Sequence, residues 1–159
     1  MMIKALEKIQ MTIGAIFLVI FFAAIMVQIV TRHLGISVIW TEEVANYSFI
    51  WSVFMGASVM VSKREHFSFD FLIGKLEGKS KVSLMIVIDA VILLFSFALF
   101  YYGIEAVQNF WNYNWTSIPD LKMGYVWISI PIMGATMMIY SGSQLINNIK
   151  ALKGKGAQA

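Results

Sequence analysis

Four long stretches of this chain carry almost no charge, and no other feature constrains the fold as tightly. Ile9–Thr31, Val44–Ser62 and Met123–Ile149 run for 23, 19 and 27 residues without Asp, Glu, Lys or Arg. Val82–Ile104 adds 23 more, interrupted only by Asp89. An α-helix needs about 20 apolar residues to cross a ~30 Å hydrocarbon core. The four stretches take up 92 of the 159 residues, which leaves too little chain for a soluble domain beside them. Charged residues are only 13% of the total against the ~25% of soluble domains. A soluble enzyme, a nucleic-acid module and a two-domain protein are excluded. The expected fold is an all-α integral membrane protein, a single domain over 1–159 with transmembrane helices near 9–31, 44–62, 82–104 and 123–149.

Lys and Arg are retained on the cytoplasmic side of short loops. With four spans, the termini and the middle loop share one side, which holds Lys4, Lys8, Lys63, Arg64, Lys75, Lys79, Lys81, Lys150, Lys153 and Lys155. Arg32 and Lys122 alone fall on the other. Both termini are therefore expected in the cytoplasm, with the loops near 32–43 and 105–122 facing outward. Lys4 and Lys8 before an apolar run superficially suggest a signal peptide, but no small-x-small cleavage site follows, so the run reads as a retained span. There are no cysteines to form disulfides or thiolate metal sites. The middle loop mixes Phe67, Phe69, Phe71, Leu72 and Ile73 with charges over too short a length to span. A short amphipathic helix in the headgroup plane, about 66–76, accounts for it.

Trp40, Tyr101, Tyr102, Trp111, Tyr113, Trp115, Tyr125 and Trp127 gather at the expected outer ends of the spans, where amphipathic rings anchor a protein to the interface. A sharper reading makes Trp111, Asn112, Tyr113, Asn114 and Trp115 part of an external docking surface. In the second span, Ser48, Ser52 and Gly56 form a small-xxx-small stripe suited to close helix packing, within the chain or against a partner. Gly134 and Gly142 repeat it weakly in the fourth.

Asp89 is the one ionisable side chain deep in a span, where an aspartate costs about 2.5–3.5 kcal/mol. A proton or ion relay is one reading; a structural hydrogen bond or ion pair is the other, with Ser58 at matching depth and Lys63 able to snorkel inward. Thr41 is placed to cap the second span, and Glu42 and Glu43 in its first turn complement the helix dipole, with Arg32 available as a partner for either. Adjacent carboxylates diverge by about 100° around a helix, which argues against paired acid–base work. His33 and His66 fall on opposite sides of the membrane and cannot share a haem or zinc. Pro131 is expected to kink the fourth span at the Trp127 carbonyl. No phosphate loop, nucleophile elbow or HExxH motif is present, and no enzyme is expected.

The order Arg32, Trp40-Thr41-Glu42-Glu43-Val44-Ala45-Asn46-Tyr47-Ser48-Phe49-Ile50-Trp51, Gly56-Ala57-Ser58, then His66-Phe67-Ser68-Phe69-Asp70 resembles the small membrane subunit of TRAP (tripartite ATP-independent periplasmic) transporters, the Q or DctQ-like family. The resemblance covers the whole chain and is sharpest over 32–72. It implies a multi-pass subunit in a bacterial inner membrane. Its partners would be a large membrane subunit, which carries an organic acid with sodium, and a periplasmic binding protein. No cofactor is implied for the small subunit itself, which would brace the large one. Arg32, Trp40, Glu42, Glu43, Asn46, Ser48, Ser52 and Gly56 would face the large subunit, and Trp111–Trp115 would receive the binding protein. The family often has arginine where Asn46 stands, so a salt bridge there does not carry over. The competing expectation is a self-sufficient homo-oligomeric ion or drug transporter that uses Asp89.

Overall fold

The structure, a computed structural model, describes residues 2–65, 75–76 and 78–156. Its elements are α1 (Met2–His33), α2 (Trp40–Lys63), α3 (Gly78–Phe110), the short α4 (Gly124–Trp127) and α5 (Ser129–Gly156). Four helical stretches are long and apolar enough to cross a membrane, the last running from Gly124 to Lys153. The fold is all-α. The headgroup-plane segment expected at 66–76, with its His66 and Asp70, lies outside the described residues except for Lys75 and Leu76.

Local chemistry sets the ends of the helices. After α1, Gly35 takes φ 74, its N–H donates to the Arg32 carbonyl and the next N–H, of Ile36, donates to Thr31. That double turn-back absorbs carbonyls an ending helix leaves unpaired, and glycine suits the left-handed residue it requires. α2 ends with the same pair of bonds, Arg64 to Val61 and Glu65 to Met60, but the left-handed residue is Arg64. The fourth span breaks at Ile128, between α4 and α5. Pro131 has no N–H for the Trp127 carbonyl, so the ladder is interrupted there. Ile128 keeps φ −62 and ψ −18, so the break is slight.

The helices pack as two pairs, α1 with α2 and α3 with α5, and α2 and α5 join the pairs. The apolar core is Val61, Met133, Met137 and Tyr140, with Ile3, Leu6, Phe54, Ala57, Ile92 and Leu99 against it. α1 and α3 are built differently from the helices of a soluble bundle. The residues α1 buries are Gln10, Gly14 and Ala24, and those α3 buries are Asp89, Ser96 and Gly103. Large side chains such as Val19, Phe22, Met26, Val91, Leu94 and Phe97 point outward. In lipid nothing drives apolar groups inward, and small or polar residues let helices approach instead. The contact between α3 and α5 follows that rule. A Cβ on Gly134 would stand 2.7 Å from the Phe100 backbone nitrogen, and one on Gly103 would stand 2.9 Å from Pro131.

Candidate functional site

At the end of the bundle formed by the α1–α2 turn and the loop between α3 and α4, the Trp40–Glu43 segment is arranged differently from the expectation. Thr41 does not cap α2. The helix begins at Trp40, so Thr41 already lies in its first turn, where its buried hydroxyl donates back to the Val38 carbonyl at 2.8 Å. The expected pairing of Arg32 with a glutamate is also absent: Arg32 is exposed and has no ion-pair partner among the described residues. It lines a polar groove of about 380 Å³ with Gln28, Thr31, Ser37 and Glu42. Glu42 is exposed, as are Trp40 and Asn46. Glu43 turns the other way. Its Oε1 accepts the Thr116 N–H and its Oε2 the Ser117 N–H, each at 2.8 Å. The two glutamates diverge around the helix as their adjacency requires, one open and one engaged by the loop.

That loop is folded down onto the helices. The Trp115 backbone N–H donates to the Leu121 carbonyl at 2.9 Å and the Met123 backbone N–H to the Tyr113 carbonyl at 2.8 Å, around an isolated bridge between Asn114 and Lys122. The Trp115 ring meets Tyr47 edge-on at 4.5 Å. Trp111 covers Gly124, where any Cβ would collide with its ring, and meets Tyr125 edge-on. Of the five residues expected on a docking surface, Trp111 and Trp115 are half-buried against the chain's own helices. Asn112, Tyr113 and Asn114 are exposed at the tip.

The small-residue stripe of α2 also serves the chain itself. Ser48 is buried and has no surface to offer a partner. Gly14 of α1 packs where its Cβ would come 3.3 Å from the Met55 Cβ and 3.5 Å from the Ser52 carbonyl oxygen. The stripe therefore seats α1 at Ser52, while a Cβ on Gly56 would meet nothing within 4 Å.

At the opposite end, Asp89 is buried, with Arg64 Nη2 at 3.2 Å and Asn148 Nδ2 at 2.6 Å from its Oδ2. The partner is Arg64 rather than Lys63, because the left-handed turn after α2 brings the next side chain back over the bundle. Ser58 is not a partner of Asp89; it belongs to a network that a search for charges misses. Gln10 donates to Thr136 Oγ1 at 2.9 Å and accepts from the Tyr140 hydroxyl at 2.5 Å, and Thr136 donates to Ser58 at 3.2 Å. Ser62 donates to Glu7, and Gln144 donates to the Val61 and Ser62 carbonyls. The visible signal was Gln10, an uncharged amide near the start of a largely apolar run. Buried polar groups that are hydrogen-bonded to one another specify how helices meet. The described residues hold no cluster of His, Cys, Asp or Glu able to bind a metal.

The family described as "Tripartite ATP-independent periplasmic transporters, DctQ component" matches residues 21–151. This chain belongs to the DctQ family. The family is one of transporter components, not enzymes, and the four long apolar helices here make this chain a multi-pass membrane protein. Among relatives of this chain, the sialic acid TRAP transporter small permease protein SiaQ of Vibrio cholerae is 27% identical, over all of this chain and 94% of its own length. A putative TRAP transporter small permease protein of Haemophilus influenzae is 27% identical over 92% of this chain and 88% of its length. The sialic acid TRAP transporter permease protein SiaT of Haemophilus influenzae is 25% identical over 91% of this chain. There the match spans only 24% of the relative's length.

Proposed function

We propose that this DctQ-family chain is the small scaffold subunit of a sodium-coupled TRAP transporter in a bacterial inner membrane, with both termini in the cytoplasm. It braces a large membrane subunit that carries the organic acid and the sodium. Its outward loop helps to dock the periplasmic binding protein. A carboxylated sugar of the sialic acid type is the favoured cargo, because two of the relatives carry that substrate in their names. The observation that carries the reading is the SiaT match, in which this chain corresponds to about a quarter of one permease polypeptide. The remaining three-quarters of that relative is the counterpart of a large partner. Long exposed apolar faces on α1 and α3 supply bilayer-depth surface for that partner.

The reading of a self-sufficient transporter needs Asp89 to exchange protons or ions with water. Instead its carboxylate is buried and held by a cation and an amide from two other elements. That arrangement favours a structural pair. Co-purification tests the subunit reading: the chain is expected to hold a TRAP large membrane subunit from the same organism through detergent extraction, and failure to do so would remove the reading.

A further inference from the structure

We propose that Glu43 is the positioning residue of the docking loop, and not a contact for the large subunit. The inference rests on the docking role given above to the outward loop. Between Trp111 and Met123 the chain is attached in other ways besides Glu43, chiefly by the bonds flanking the Asn114–Lys122 bridge and by the two tryptophans seated on Gly124 and on Tyr47 of α2. The first ties Tyr113 and Asn114 of the tip to the returning side of the loop, and the second holds the arms beside the tip; neither reaches Thr116 or Ser117. The returning segment at Thr116 and Ser117 is held from α2, by the Glu43 carboxylate accepting one backbone N–H on each oxygen. The Ser117 hydroxyl adds a bond to the Ile39 carbonyl at 3.3 Å. Hydrogen bonds to an ionised acceptor are roughly twice as strong as neutral ones, and a two-oxygen grip also fixes direction. Both Glu43 oxygens are therefore committed to the loop, while neighbouring Glu42 is exposed and faces the Arg32 groove. A carboxylate bound for the large subunit would be Glu42.

The geometry explains why a transporter component would keep an acidic residue at this place. Asn112, Tyr113 and Asn114 offer amide and phenol groups to a partner, and Tyr113 is 62% exposed. A surface of this kind binds well only if its shape is set beforehand, since ordering it on contact subtracts from affinity. Glu43 sets that shape from a rigid helix.

The test is a titration of the periplasmic binding protein that supports uptake by the two-subunit complex onto that complex in nanodiscs. Four variants are compared with the wild type: Tyr113→Ala, Asn114→Ala, Glu43→Gln and Glu43→Ala. A spin label on Asn114→Cys, unique because the chain has no other cysteine, reports loop mobility. The expected result is that both tip variants weaken docking. Glu43→Ala weakens it about fivefold to tenfold and raises label mobility with the large subunit retained, and Glu43→Gln falls between. If the tip variants or the wild type show no docking effect, the docking role fails and this inference with it. If the tip variants weaken docking and Glu43→Ala does not, the inference alone fails. Loss of the large subunit from Glu43→Ala would overturn it as well, by making Glu43 an interface residue.

Discussion

Arg64 and Asp89 meet across the end of the bundle that holds the start of α1, with Nη2 3.2 Å from Oδ2. Arg64 makes this contact from a left-handed backbone at φ 61 and ψ 22. A non-glycine residue held there costs of order 1 kcal/mol, so the ion pair offsets a local strain. Removing Asp89 leaves the Asn148 amide short of a partner but lets Arg64, 37% exposed, turn to water, whereas removing Arg64 leaves the buried Asp89 carboxylate with the Asn148 amide alone, a cost that relief of the backbone strain offsets in part. Asp89→Ala is expected to lower the stability of the purified chain by about 2–3 kcal/mol. Arg64→Gly leaves that buried carboxylate without its cation and is expected to cost a similar amount, about 2–3 kcal/mol, less the strain that glycine relieves. Thermal melts in detergent check both, and uptake per assembled complex is expected to survive Asp89→Asn.

Gln10 joins α1 to α5 through two of its side-chain bonds, to Thr136 and from Tyr140. Tyr140→Phe leaves the Gln10 carbonyl oxygen without that donor, and Gln10→Leu leaves both partners short. Hydrogen bonds inside membrane bundles average about 0.6 kcal/mol, with a ceiling near 1.7. Each single variant is expected to cost about 1 kcal/mol and the double variant clearly less than the sum. A double-mutant cycle on unfolding free energies measures the coupling; strict additivity would show that the two side chains act independently.

The glycines of the fourth span divide by what surrounds them. Gly134 lies against the Phe100 backbone, which cannot yield as a side chain can, and Gly134→Ala is expected to cost about 1–3 kcal/mol. A Cβ on Gly142 meets nothing, so Gly142→Ala is expected to be neutral or to stabilise by up to about 1 kcal/mol through helix propensity. Equal melting shifts for the two would contradict the packing between α3 and α5.

The four spans were legible because charge is costly in lipid, so uncharged runs mark spans directly. The partners were not. Glu42 and Glu43 have a complete local explanation in the helix dipole, which hides that Glu43 binds residues 73 and 74 positions away. Asp89 announced itself as the charge inside a span, but counting depth pointed to Lys63; only the turn after α2 selects Arg64. The stripe at Ser48, Ser52 and Gly56 was visible as a packing face, with its partner unspecified. Gly14 takes the Ser52 region, a match that no spacing within α2 could reveal. Asp89, Ser96 and Gly103 repeat every seven residues along α3, a period visible in the sequence once small and polar residues are counted together.

The central claim is that this chain stabilises a transporting neighbour and moves no solute. Radiolabelled sialic acid uptake into sodium-energised proteoliposomes, with the binding protein outside, tests it most directly. The chain alone, the large subunit alone and the two together are compared. The account predicts uptake from the pair, none from this chain by itself, and slow or quickly lost uptake from the large subunit alone. Solute movement by this chain unaided, or full and lasting uptake by the large subunit without it, would contradict the account.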